Sequence, residues 1–130
     1  MKTIILTINV FCFSLIAIGQ DLAIITFDSL TIDYGIINKG DDGIRQFKFT
    51  NTGNVDLEIT RVRSSCGCTI PKKPESTIAP GKSDIIEVKY DTDRVGPIRK
   101  TITVTSNASS SIVALKIKGE VIEPTKEEID

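Results

Sequence analysis

Apolar side chains at every second position constrain this chain more than any other feature. Over residues 45–50, Phe47 and Phe49 share one side, and Gln46, Lys48 and Thr50 take the other. That period places one face of an extended strand against a core and the other in water. The same pattern recurs at Leu57 and Ile59, at Ile86, Val88 and Tyr90, and at Ile98, Ile102 and Val104. It returns in Val113, Leu115, Ile117, Gly119 and Val121. Ala23-Ile24-Ile25-Thr26-Phe27 and Leu30-Thr31-Ile32-Asp33-Tyr34 open the series, the latter ending at Gly35. Turn-forming clusters separate the runs: residues 38–43, 51–54, 91–97 and 107–110. Asn51-Thr52-Gly53-Asn54 is the strongest of them, because Gly and Asn tolerate positive φ. Pro71, Pro74 and Pro80 exclude a regular central strand where they stand. About seven short strands at this spacing predict an all-β, antiparallel, immunoglobulin-like sandwich, with a small barrel as the alternative. The sandwich is expected over residues 20–122. With no Trp and no distant cysteine pair, its two sheets must be held by Ile, Val, Leu and Phe alone.

The N-terminus reads differently. Met1-Lys2-Thr3 precedes a nearly unbroken apolar run from residue 4 to 18, too short for a comfortable membrane span and flanked like a signal peptide. Ala17-Ile18-Gly19 offers small residues for cleavage, so residues 1–19 are expected to be removed. A retained anchor and a lipid on Cys12 are the alternatives; Phe11 stands where a lipidation motif has a small residue. Removing Lys2 leaves 15 basic and 17 acidic residues of the full chain's 16 and 17. The tail, residues 123–130, holds four acids and one base and is expected to be disordered. Without it the body is close to neutral. Such a balance predicts neither nucleic acid nor anionic lipid as a partner, and no transmembrane helix after signal removal. The expected location is the periplasm, the cell surface or the exterior.

Cys66-Gly67-Cys68 carries the most distinctive chemistry. Positions i and i+2 of a regular strand lie roughly 6.6 Å apart, whereas disulfide Cβ atoms need about 3.8 Å. An unkinked strand cannot close this pair, but Gly67 can leave the β region cheaply. So short a loop yields roughly 1.6 kcal/mol of closure entropy, a poor staple, and a bond here belongs with the labile class. Four readings stand open: two small buried residues ending a strand, a redox or oxidant-sensing pair, a soft-metal site such as copper(I), and pairing with another protein's cysteine. The metal reading lacks partners, since the chain has no His and its single Met is Met1. Lys72 and Lys73 follow closely and could lower a thiol pKa, although a solvated pair is the ordinary interpretation.

Other chemistry is sparse. Without His there is no Ser-His-Asp or Cys-His machinery, and Ser64 and Ser65 read as loop hydroxyls. Asp91-Thr92-Asp93 could hold calcium but fits turn capping better. Gly40 and Gly43 lack the following helix and Lys of a phosphate loop. Asn107-Ala108-Ser109 is a glycosylation triplet. No catalytic residue and no cofactor is expected.

Several pieces together resemble a known family. They are Ile32-Asp33-Tyr34-Gly35 with Gly40, Phe49-Thr50-Asn51-Thr52-Gly53-Asn54, Cys66-Gly67-Cys68-Thr69, Ile78-Ala79-Pro80-Gly81-Lys82 and Ser106-Asn107. Their order and spacing over residues 27–121 resemble the bacterial exported family called domain of unknown function 1573. That family is similar to the Ig-like abnormal-spindle, hydin and major-sperm-protein domains. The resemblance implies a fold and an envelope address, but no reaction. Tyr34 stands where Phe is commoner in the family. The expected function is a non-catalytic envelope interaction module whose partner is an envelope or secreted protein. Its contact surfaces are expected at residues 66–80 and 35–43, including Gly35, Gly40, Gly67, Lys72 and Lys73. Thiol-redox or copper handling through Cys66 and Cys68 is the alternative.

Overall fold

The computed structural model describes residues 20–125. The expected leader, residues 1–19, and residues 126–130 of the tail lie outside the described residues. Eight strands form two four-stranded sheets. The first sheet has the order β1 (Ile25–Phe27), β3 (Ile44–Asn51), β6 (Ser83–Tyr90), β5 (Thr69–Lys72). The second has the order β2 (Thr31–Asn38), β8 (Ile112–Ile122), β7 (Gly96–Ser106), β4 (Ile59–Ser64). The Ig-like sandwich expected from alternation is therefore the fold.

The strand beyond the expected seven is β5, built in the proline-bracketed stretch. Pro71 is admitted because β5 is an edge strand that pairs only with β6, Pro71 opposite Val88. Antiparallel pairing does not hold throughout: β2 runs parallel to β8, from Thr31↔Lys116 to Asn38↔Ile122. After β1 the chain crosses at residues 28–30 to the second sheet without reversing, so β2 keeps β1's direction. On the opposite lateral edge the chain crosses back from β4 to β5. Each open side of the sandwich is thus closed by one crossing.

The core is the predicted one. Phe47, Phe49, Leu57, Ile86, Val88, Ile98, Ile102, Val104, Leu115, Ile117 and Val121 are almost completely buried. Phe27 packs on Phe49 with ring centroids 5.7 Å apart, a separation at which tilted aromatic pairs gain beyond their buried area. Of the buried polar residues Asn51, Thr69, Thr92 and Ser106, Asn51 is the most completely enclosed. Asn51 is fully buried; its Nδ2 donates to the carbonyls of Val55 (2.7 Å) and Ile78 (2.9 Å), and its Oδ1 accepts from Gly53 N–H (3.0 Å). It ties the 51–55 turn to the chain entering β6.

Three glycines are needed for closeness of approach: Gly43, whose Cβ would collide with the Tyr90 carbonyl oxygen, Gly53 and Gly119. A Cβ on Gly53 would collide with the Leu22 carbonyl oxygen and stand 2.6 Å from Ile24 N. The turn at residues 51–54 contains no positive φ, so close packing on the N-terminal segment, not left-handed backbone, selects Gly there. Gly119 has φ +143°, and a Cβ on it would sit 2.7 Å from Gly35 O and 2.9 Å from Tyr34 Cβ. It lies where β8 meets the bulge between Asp33 and Ile36 of β2. Replacing Gly119 by Ala adds backbone strain and overlap together, and should cost about 2–4 kcal/mol in denaturant unfolding. A loss below about 0.5 kcal/mol would contradict this account of the β2–β8 seam.

Candidate functional site: the cysteine turn and its pole

The strand directions bring one part of each expected contact segment, residues 66–68 and 39–43, to one end of the sandwich. β2, β4, β6 and β8 run toward it; β3, β5 and β7 start from it. Three connections meet there: the 39–43 turn, the 65–68 turn and the 91–95 loop.

Cys66 and Cys68 occupy the turn that carries the chain from β4 to β5. Ser65 fixes its start, donating N–H to Thr101 O (2.9 Å) and accepting Thr101 N–H on its Oγ (3.2 Å). Ser64 Oγ accepts Cys66 N–H at 3.2 Å. A Thr69 N–H to Cys66 O bond closes the turn, and Asp91 N–H reaches Cys68 O at 2.8 Å. The two sulfurs are bonded as a disulfide, with Cα atoms 5.4 Å apart, inside the usual range for such bridges. The turn achieves this spacing without left-handed backbone at Gly67, whose φ is not positive and whose Cβ position meets nothing within 4 Å. Gly67 leaves the extended strand for a hydrogen-bonded turn, as expected, and does so without a left-handed φ.

The two cysteines differ in environment. Cys68 is 4% exposed and belongs to the core, 3.7 Å from Thr69 Oγ1, whereas Cys66 is half-buried. An oxidised pair offers no thiolate to a metal. Among the described residues, no group of three or more His, Cys, Asp or Glu is placed to hold one.

The neighbouring turns are held rigidly against this one. Gly43 O accepts from both Tyr90 N–H (3.0 Å) and Tyr34 OH (2.7 Å). Thr92, buried, donates its Oγ1 hydrogen to Asp41 O (2.6 Å), and Gly40 N–H reaches Thr92 O. Asp41, Asp42, Asp91 and Asp93 line a groove of about 400 Å³. Three of these carboxylates already accept turn amides: Asp41 from Asn38, Asp42 from Ile44 and Asp91 from Asp93. The Asp91-Thr92-Asp93 triplet is thus a turn cap, and its calcium reading has no geometric support.

The anticipated 66–80 contact loop is divided. β5 carries Lys72 and Lys73 roughly 13 Å or more along the strand from Cys68, to a separate groove with Glu75, Asp84 and Glu87. Ile78 is buried and bridged to Leu57. Gly35 lies back in the β2 bulge, φ +65°, while Gly40, φ +85°, is at the pole itself. Sequence reasoning did not single out Tyr34 for a role. Its ring is buried beneath Arg45, whose guanidinium carbon stands 4.4 Å from the ring centroid. No pattern in the residues marks that hydroxyl; only the placement of Gly43 O gives it a partner.

Burial pushes the Tyr34 phenol from 10.0 up to about 12, with Arg45 opposing the shift and Asp42 adding to it. Folding favours the neutral phenol. Its contribution is present below pH about 10 and lost as pH rises from about 10 to about 12. Tyr34→Phe should therefore cost about 1 kcal/mol at neutral pH and lose less stability than the parent over that alkaline window. Identical pH dependence of the two unfolding midpoints would remove the role assigned to the hydroxyl.

Comparison with known proteins agrees with this architecture. The family model described as "Protein of unknown function (DUF1573)" matches residues 25–121. No curated protein matches the chain. A protein of unknown function from Porphyromonas gingivalis W83 superposes with a TM-score of 0.69 at 18% identity, over 82% of this chain and 51% of that one. This chain thus spans about half of that protein's length. The ASH/PapD-like domain 7 of human CEP192 gives 0.67 at 8% identity, over 82% and 91%. The secreted serine protease VesC of Vibrio cholerae gives 0.60 at 15%, over 82% of this chain and only 25% of the protease. These likenesses are of fold. With the sandwich, the cysteine turn and the family match all in place, the chain belongs to the DUF1573 family.

Proposed function

We propose that this domain is a non-catalytic, exported interaction module that holds an envelope or secreted protein at the pole formed by the 39–43, 65–68 and 91–95 connections. The observation that carries this reading is their mutual fixation. Backbone bonds from Asp91 to Cys68, Tyr90 to Gly43 and Gly40 to Thr92 make one surface from three loops. A pre-ordered surface loses little conformational entropy on binding. Loops at the end of a rigid sandwich are a common place for recognition. Val95, 53% exposed, is an apolar side chain there unused by the core. The leader-like N-terminus supports export, with the mature chain beginning at Gln20. A photo-crosslinking residue at Val95 should capture a discrete envelope protein, and one at Ser110, on the opposite end, should not. Equal adducts from both positions, or none from Val95, would end this proposal.

One observation favours a second reading, thiol exchange. The bond joins a half-buried sulfur to a buried one, so an incoming thiolate reaches Cys66 and releases Cys68 as the leaving thiolate beside Thr69. Intact mass of the mature chain, with and without alkylation, should show both thiol hydrogens missing. Titration against a dithiol then separates the readings: reduction near the potential of its compartment supports exchange, and resistance to reduction until unfolding leaves the bridge structural.

A further inference from the structure

The near-neutral body hides a segregation of charge that pairing register makes visible. The outward residues of β7 are Arg99, Thr101, Thr103 and Thr105, and they are flanked in register by bases. Arg63 and Arg61 of β4 stand opposite Thr103 and Thr105. Lys116 and Lys118 of β8 stand opposite Thr101 and Arg99. Of the acids on these strands, Asp33 lies on the edge strand β2, and Glu120 lies on β8 next to Lys118 in the outward row, between Ile36 of β2 and Pro97 of β7. Asp33 engages one base weakly, 4.0 Å from Lys118 at largely exposed positions. Elsewhere among the described residues these cations have no ion pair. β4 stops at Ser64 while β7 continues from its start at Gly96. A surface groove of about 520 Å³ lies on that part of the sheet, lined by Arg99, Lys100, Lys116, Lys118, two threonines and Ile117, and by no acid.

We propose that this face of the second sheet binds an extended acidic polypeptide, one with Asp or Glu at alternate positions. The repeat identifies the occupant. Outward side chains along one strand recur about every 6.8 Å, and so do carboxylates at every second residue of an extended peptide. Arg61 and Arg63 on one side and Lys116 and Lys118 on the other, each pair at successive outward positions, flank the β7 threonines and can meet such carboxylates in step, while the threonine hydroxyls take hydrogen bonds from the peptide. A polysaccharide or a membrane supplies negative charge without that interval. The surface is separate from the pole, so either proposal can fail without the other.

The test uses the chain from Gln20 onward and a fluorescent peptide of alternating Glu and Thr, about ten residues long. Its partner control has the same composition with all Glu in one block. Acidic polysaccharide and phosphatidylglycerol vesicles serve as further controls. The alternating peptide should bind at least about threefold more tightly than the blocked one, and about 1 M salt should abolish binding. Arg99→Gln/Lys116→Gln should weaken it about tenfold, whereas Lys48→Gln/Lys89→Gln, on the outer face of the first sheet, should change it less than twofold. Unchanged circular dichroism in both variants keeps the comparison valid. Equal affinity for the two peptides, tighter binding to polysaccharide or vesicles, insensitivity to the Arg99/Lys116 pair, or low-salt self-association that the peptide cannot displace would each overturn the proposal.

Discussion

Two sheets that touch only through side chains must keep both their apolar layer dry and their backbone polar groups satisfied near the seams. This molecule has no buried Trp and no disulfide between its sheets, so the layer of Phe, Ile, Val and Leu carries the association. Asn51 shows the other half of the requirement. Its amide reaches into that layer and satisfies Val55 O and Ile78 O, groups whose burial unpaired would each cost about 1–3 kcal/mol. No buried side-chain polar atom among the described residues is left without a partner. The apolar layer fixes the position of both sheets, and the sheets in turn fix the pole.

What could be read in the residues followed from period. Alternation identifies an inward face irrespective of partner, which is why Phe47, Phe49, Ile86, Val88 and the β7–β8 core were legible in advance. β5 was not, because Pro71 removes the signal that edge strands can dispense with. The parallel β2–β8 pair depends on which way the chain crosses between sheets, and no local pattern encodes that. Gly53 was legible as a turn but for a different reason: the N-terminal segment lies where a Cβ would go. Charge was least legible. A count of acids and bases averages over surfaces, while register sorts Arg61, Arg63, Arg99, Lys116 and Lys118 onto one side.

The pole joins the cysteine turn to a buried tyrosine that braces the turn beside it. The Cys66–Cys68 turn belongs to the motifs by which the sequence resembles its family. The Tyr34 hydroxyl adds a bond to Gly43 O that anchors the neighbouring turn. With Arg45 above its ring and Tyr90 6.2 Å away centroid to centroid, Tyr34 stiffens the surface beside the disulfide without altering the disulfide itself.

The parallel seam between β2 and β8 also imposes an order on assembly. A strand near the front of the domain finds its neighbour only in the final one, across some eighty residues of intervening chain. Contacts so distant in sequence form late and slowly. Any machine that delivers this polypeptide from its N-terminus, ribosome or membrane channel alike, must release the chain through β8 before the second sheet can be sealed. Until then the early strand keeps an unsatisfied flank, and the emerging chain stays loose enough to be threaded.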